Sequence, residues 1–187
     1  MPRHFIKKFA TALVLAVAMT IGTTASEITV DDFQSKPEQN WRFFADTVMG
    51  GKSSGKVVFK KEGAIAYARM TGRVTTANNG GFIQIRSDLG SPPPEGTTGV
   101  RVVVRGNGER YFVHLRTSGT ILPWQYYQAS FATSDAWQEV RLPFERFTRS
   151  GSFLGKTPKP SSLKSLGIVA FGRDYQADIE VREIGFY

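Results

Sequence analysis

A period of two constrains this chain most. From about residue 28 onward, short stretches rich in Val, Ile, Phe and Tyr recur, bounded by Gly, Asn, Pro or Ser, with almost no helical spacing between them. The candidate strands are 28–33, 41–45, 56–61, 64–71, 81–86, 99–105, 110–116, 125–132, 137–142, 166–172 and 178–187. Val100, Val102 and Val104 fall on one face of their strand and Arg101, Val103 and Arg105 on the other; Tyr111, Val113 and Leu115 likewise oppose Phe112, His114 and Arg116. One face of each such strand can join a core while the other meets solvent or ligand. Gly106-Asn107-Gly108 tolerates positive φ and is expected to close 99–105 and 110–116 into a tight hairpin. With no crossover helices and no internal repeat, the pattern predicts an all-β antiparallel sandwich in one domain, 26–187.

The residues before that domain differ in kind. Arg3, Lys7 and Lys8 precede an apolar run from Phe9 to about Gly22, followed by the small residues Thr23-Thr24-Ala25-Ser26. A basic start, an apolar stretch of this length and a small-residue exit read as a secretory signal peptide over 1–25, cleaved after Ala25. The run is shorter than the roughly 20 apolar residues that span a bilayer, so any membrane contact of the mature chain would be peripheral. The expected location is exported, periplasmic or extracellular.

Loss of that segment removes three basic residues and no acidic ones, so the formal charge falls from +8 to +5. The remaining charges are interleaved rather than gathered into a basic stripe, and nucleic acid is not assigned as a partner. The chain contains no cysteine, which excludes disulfides, thiol nucleophiles and Cys-based metal sites. The glycines after Met49 lack phosphate-loop spacing and no helix follows them. His114 is the one histidine of the mature chain and has no Gly-x-Ser-x-Gly partner motif, so no catalytic residue is assigned and the chain is read as non-enzymatic. Asp31, Asp32 and Asp46 fall short of the six to eight oxygens that calcium takes, so no metal or other cofactor is assigned either.

The segment Trp41 to Gly55, with Asp46, Met49-Gly50-Gly51 and Ser53, resembles the signature of the complex I intermediate-associated protein 30 family. Asn78-Asn79-Gly80-Gly81-Phe82, Gly99 to Arg105-Gly106-Asn107-Gly108, Leu115-Arg116-Thr117, Tyr127-Gln128-Ala129, Trp137 and Leu142-Pro143-Phe144 continue the resemblance in order over nearly the whole domain. The stretch from Arg149 to Lys156 departs from the family's Phe-Arg-Gly-Arg pattern. The resemblance implies a galactose-binding-like jelly roll, similar to carbohydrate-binding modules, and a role in complex assembly. Its turns would be built by Asp46, Met49, Gly50, Gly51, Ser53, Asn79, Gly80 and Gly81, the glycines serving tight turns or close backbone approach and the Asp and Ser bonding to backbone amides.

A binding patch follows from alternation. If Tyr127, Ala129 and Phe131 point inward, Tyr126, Gln128 and Ser130 point outward, beside His114 and Arg116 on the neighbouring strand. Trp124, next to Pro123 in a loop, is a candidate for exposure, whereas Trp41 and Trp137 at strand starts are expected in the core. Trp124, Tyr126, Gln128, His114 and Arg116 are therefore the candidate binding residues. Two functions fit: a protein-interaction or assembly module acting on an envelope protein or complex, favoured by the resemblance, and a carbohydrate-binding module of the cell envelope, favoured by export and the aromatic patch.

Overall fold

A computed structural model describes residues 27–187; the expected signal peptide lies outside them. Twelve strands occur among these residues. They are β1 (Ile28–Asp31), β2 (Trp41–Ala45), β3 (Ser54–Glu62), β4 (Ile65–Val74), β5 (Phe82–Asp88) and β6 (Gly99–Gly106), then β7 (Arg110–Thr117), β8 (Tyr127–Ala132), β9 (Gln138–Pro143), β10 (Thr148–Arg149), β11 (Leu163–Phe171) and β12 (Tyr175–Phe186). Every predicted stretch is a strand. The unpredicted one, β10, is two residues long and carries no readable pattern.

The strands form two antiparallel sheets. The first runs β3-β4-β12-β6-β9, with β1 also on β12; the second runs β10-β8-β7-β11-β5-β2. Inward faces meet in one apolar core: Val100, Val102 and Val104 of β6, with Met70 and Ile179, face Ile83, Ile85, Val113, Leu115 and Ile168 of the second sheet, all fully buried. Each such side chain contributes roughly 1.5–3 kcal/mol by leaving water, which lets the sandwich dispense with disulfides. The chain crosses repeatedly between the sheets, the connectivity of a jelly roll.

Two expectations are corrected here. Gly106-Asn107-Gly108 does not close a hairpin, because β6 lies in the first sheet and β7 in the second. Both edges of β6 are already occupied by β12 and β9. The Gly-rich turn arches between layers instead, with Gly108 at φ +82° and Asn107 bonded to the backbone of Asp178 and Gln176. Trp137 is not in the core. It lies half-buried on the outer face of the first sheet, edge-on to Tyr67 and capped by the guanidinium groups of Arg105 and Arg182. Trp41 is 3% exposed and donates its indole N–H to Asp31 at 2.8 Å, a bond that also occupies one of the carboxylates considered for a cation.

Candidate functional site

The conserved-looking turns of the sequence converge on one carboxylate. Asp46, 1% exposed, accepts from the Ser53 amide (2.9 Å), the Ser53 hydroxyl (2.5 Å), the Gly81 amide (2.5 Å) and the Phe82 amide (3.2 Å). Burial pushes its pKa up, but these four donors outweigh that and hold it below the usual value. Gly51 and Gly80 pack directly on the same carboxylate, and a Cβ on either would collide with it. Asp46 and Ser53 thus do more than shape their own turn: the carboxylate staples the loop before β3 to the loop before β5. Gly50 caps the short turn Asp46–Met49. The staple leaves Met49, Asn79 and Gly80 at the end of a groove on the outer face of the second sheet.

The floor of that groove follows β11, from Phe171 past Val169 and Gly167 to Ser165. Register sets Gly167 between Arg86 of β5 and His114 of β7, and His114 opposite Gln128 of β8. Because Gly167 has no side chain, the floor dips there. Three adjoining spaces result. A cavity of about 370 Å³ between Met49, Asn79, Phe82, Gln84, Trp124 and Phe171 leads through a neck of about 40 Å³ at Gly167 into another of about 260 Å³ beside Arg86, Arg116 and Lys164.

Tyr126 forms one wall. Its ring stacks on the His114 imidazole at 4.1 Å and 9°, with Phe171 edge-on to both. Covered in this way, His114 is pushed down by burial to a pKa of about 3, against a weak opposing pull from Gln128, and is neutral at physiological pH. Its Nε2 and the Oε1 of Gln128 are buried without a hydrogen-bond partner among the described residues. A neutral imidazole with no nucleophile beside it positions a ring; the geometry supplies no proton-transfer relay. No group of three or more metal-ligating side chains occurs among the described residues.

Trp124 stands at the rim, 59% exposed, on a loop that is braced rather than loose. Arg116 donates to the Thr120 and Leu122 carbonyls at 2.9 and 3.0 Å. Gln125 accepts from the Leu122 amide, and Ser150 donates to the Trp124 carbonyl while accepting from the Tyr126 amide. Arg116 therefore serves partly as scaffold for the indole. The structure brings Trp124, Tyr126, His114, Gln128 and Arg116 onto one face, and joins to them Phe82, Gln84, Arg86, Gly167 and Phe171, which the sequence reading had not singled out. Alternation within β5 and β11 could have marked these as outward-facing, but the order β7-β11-β5 that sets them beside β7 is not written in any local pattern.

Solved structures share this fold. The family 11 carbohydrate-binding module of the cellulosomal cellulase Lic26A-Cel5E of Clostridium thermocellum superposes with a TM-score of 0.70 at 13% identity, over 88% of this chain and 95% of that one. The same family's module in complex with a β-1,3-1,4-mixed-linked tetrasaccharide also gives 0.70 at 13% identity, over 88% and 96%. A family 30 carbohydrate-binding module gives 0.51 at 12% identity, over 73% and 91%. No curated protein sequence matches the chain. The family model for complex I intermediate-associated protein 30 matches residues 31–180, a span that includes the Asp46 staple and both sheets, and the chain belongs to that family.

Proposed function

We propose that this protein is an exported, non-catalytic binding module and that its groove holds a saccharide chain. One observation carries the reading: an open trough on a sheet face, with aromatic walls at Trp124, Tyr126 and Phe171 and amide groups at Asn79 and Gln84. Sugar rings present an apolar face and a rim of hydroxyls, and a site mixing aromatic walls with a few fixed polar groups meets both. The braced Trp124 loop lowers the ordering cost of binding. Calorimetric titration with neutral oligosaccharides, the β-1,3-1,4-mixed-linked tetrasaccharide among them, tests this. Saturable binding is expected, weakened about tenfold by Trp124→Ala, the equivalent of ~1.4 kcal/mol.

A second reading rests on a different observation. Val48, Met49, Ile121, Leu122 and Phe153 are exposed apolar residues, with Met49 lining the groove and Ile121 and Leu122 in the Trp124 loop. A collar of this kind suits a protein partner, as the assembly role of the family suggests. Capture of one defined envelope protein, lost on Ile121→Ser with Leu122→Ser while sugar binding is absent, would favour that reading over the saccharide one.

A further inference from the structure

The groove has two chemically distinct ends. At the Met49–Phe171 end its lining is aromatic and neutral. At the other end Arg86, Arg116 and Lys164 line the 260 Å³ cavity with Ser165, Thr117 and Thr120, and the single acidic lining residue is Asp88. On the first sheet Arg69, Arg101, Arg105 and Arg141 each contact a carboxylate, while Arg182 lies over the Trp137 ring. Arg86 and Arg116 form no ion pair among the described residues. The Arg86 guanidinium lies over the Phe44 ring at 4.5 Å and makes no hydrogen bond among those residues. Arg116 uses Nε and Nη2 on Thr120 and Leu122, leaving Nη1 without a bond there. Arg42, directly across from Arg86 in the β2–β5 register, adds a fourth positive charge at this edge, beside Arg86, Arg116 and Lys164.

Arg86, half-buried with neither a hydrogen bond nor an ion pair among the described residues, and the unbonded Nη1 of Arg116 are an incomplete arrangement, and the group that completes it is an anion with planar, paired oxygens. Arg86, Arg116 and Lys164 outnumber the one carboxylate of this lining, Asp88; burial first and the neighbouring Arg86 second depress the Arg116 pKa, against the pull of Asp88. The neck at Gly167 joins this end to the aromatic one; Phe82 and Arg86 stand four positions apart on β5, roughly 13 Å at the strand rise. That length exceeds one pyranose ring.

Building on the saccharide reading above, we infer that the groove selects an acidic glycan, with a sugar-ring carboxylate seated between Arg86 and Arg116 while a neighbouring ring lies against Tyr126 and Trp124. The experiment is calorimetry on the purified protein with tetragalacturonate, with the same oligosaccharide after reduction of its carboxyl groups, and with the neutral mixed-linked tetrasaccharide. The uronate is expected to bind at least tenfold more tightly than its reduced form, and the difference should shrink as salt rises. Arg86→Gln, at a side chain that holds no loop, should remove about tenfold from uronate binding and weaken neutral-sugar binding by much less. Equal affinity for the uronate and its reduced form, or no effect of Arg86→Gln, overturns the acidic assignment while neutral binding keeps the saccharide reading. Absence of binding to all three sugars sinks both. Binding to vesicles containing anionic lipid, with no uronate binding, reassigns the arginines to a membrane headgroup and overturns the inference as well.

Discussion

The two outer faces of the sandwich are built from the same ingredients and finished differently. On the first sheet, Arg101 lies among Glu27, Glu139 and Glu183, Arg105 meets Glu62 and Glu180, and Arg69 meets Asp178 and Glu180. The aromatic rings on that face, Tyr67 and Trp137, lie beneath arginines. The 250 Å³ depression there is walled by paired charges that already satisfy one another. On the second sheet Arg86 and Arg116 form no ion pair among the described residues, Tyr126 covers a neutral histidine, and Trp124 projects into solvent. A face whose polar groups are mutually satisfied offers a ligand little, since binding would only exchange one good partner for another. The second face leaves its partners to be found, and its rigidity comes from bonds made at its edges.

The sharpest way to break this comparison is to remove an edge. Asp46→Ala leaves the buried Ser53 and Gly81 amides and the part-buried Phe82 amide without their acceptor and the Ser53 hydroxyl with only the Thr75 carbonyl, and is expected to destabilise the protein by about 3–5 kcal/mol in urea denaturation, with loss of binding. A change below ~1 kcal/mol would mean that the staple is not what holds the groove end. The corresponding cut on the first face is Arg101→Gln, which takes the arginine from Glu183 beside a largely covered position and leaves Glu139 with Arg141 alone. A loss of ~1–3 kcal/mol is expected, with ligand affinity unchanged within twofold. Altered affinity there would show that the two faces are coupled through the core.

Acid separates the faces by window. The His114 pKa is about 3 when folded and near its ordinary 6.5 when unfolded, so between those values the unfolded chain binds the extra proton. Stability therefore rises with pH through that range, by at most ~1.4 kcal/mol per unit, and declines as pH falls below 6.5. Glu139 behaves otherwise. Its bonds to Arg101 and Arg141 hold its pKa below the usual 4.5, so its contribution is complete above that value and is lost only as pH falls further. Denaturation midpoints measured from pH 7 to 4.5 should slope in the native protein and flatten in His114→Phe. An unchanged slope would mean that groups other than His114 set the stability over this range.

Much of this was legible from local pattern. Alternation gave the strands and the inward and outward sides of β6, β7 and β8, because a half-buried strand has to write its two environments into successive residues. Pairing was less legible. Gly106-Asn107-Gly108 has hairpin chemistry yet serves an arch, since a turn's allowed dihedrals do not say which sheet receives the next strand. Trp137 was misplaced for a related reason: an aromatic in a strand can be covered by arginine stems as readily as by a core, and that cover comes from β6 and β12, far off in sequence. The groove was half visible. Its β7–β8 wall is contiguous in sequence, while Gln84, Arg86 and Gly167 join it only through a strand order set by long-range packing.

The smallest expected effect discriminates best between the faces. Where an arginine is answered by carboxylates, replacing it leaves charges stranded and costs stability. Arg86 is not answered, and it stands near Arg116 and opposite Arg42, so its charge is opposed rather than welcomed. Arg86→Gln removes the repulsion together with the guanidinium contact over the Phe44 ring, two small effects of opposite sign. Its stability should be unchanged or raised by about 0.5 kcal/mol, with the gain fading at high salt. A comparable loss from Arg86→Gln and Arg101→Gln would make the second face as self-satisfied as the first. Stability kept in one and lost in the other would mean that Arg86 is retained for something outside the fold.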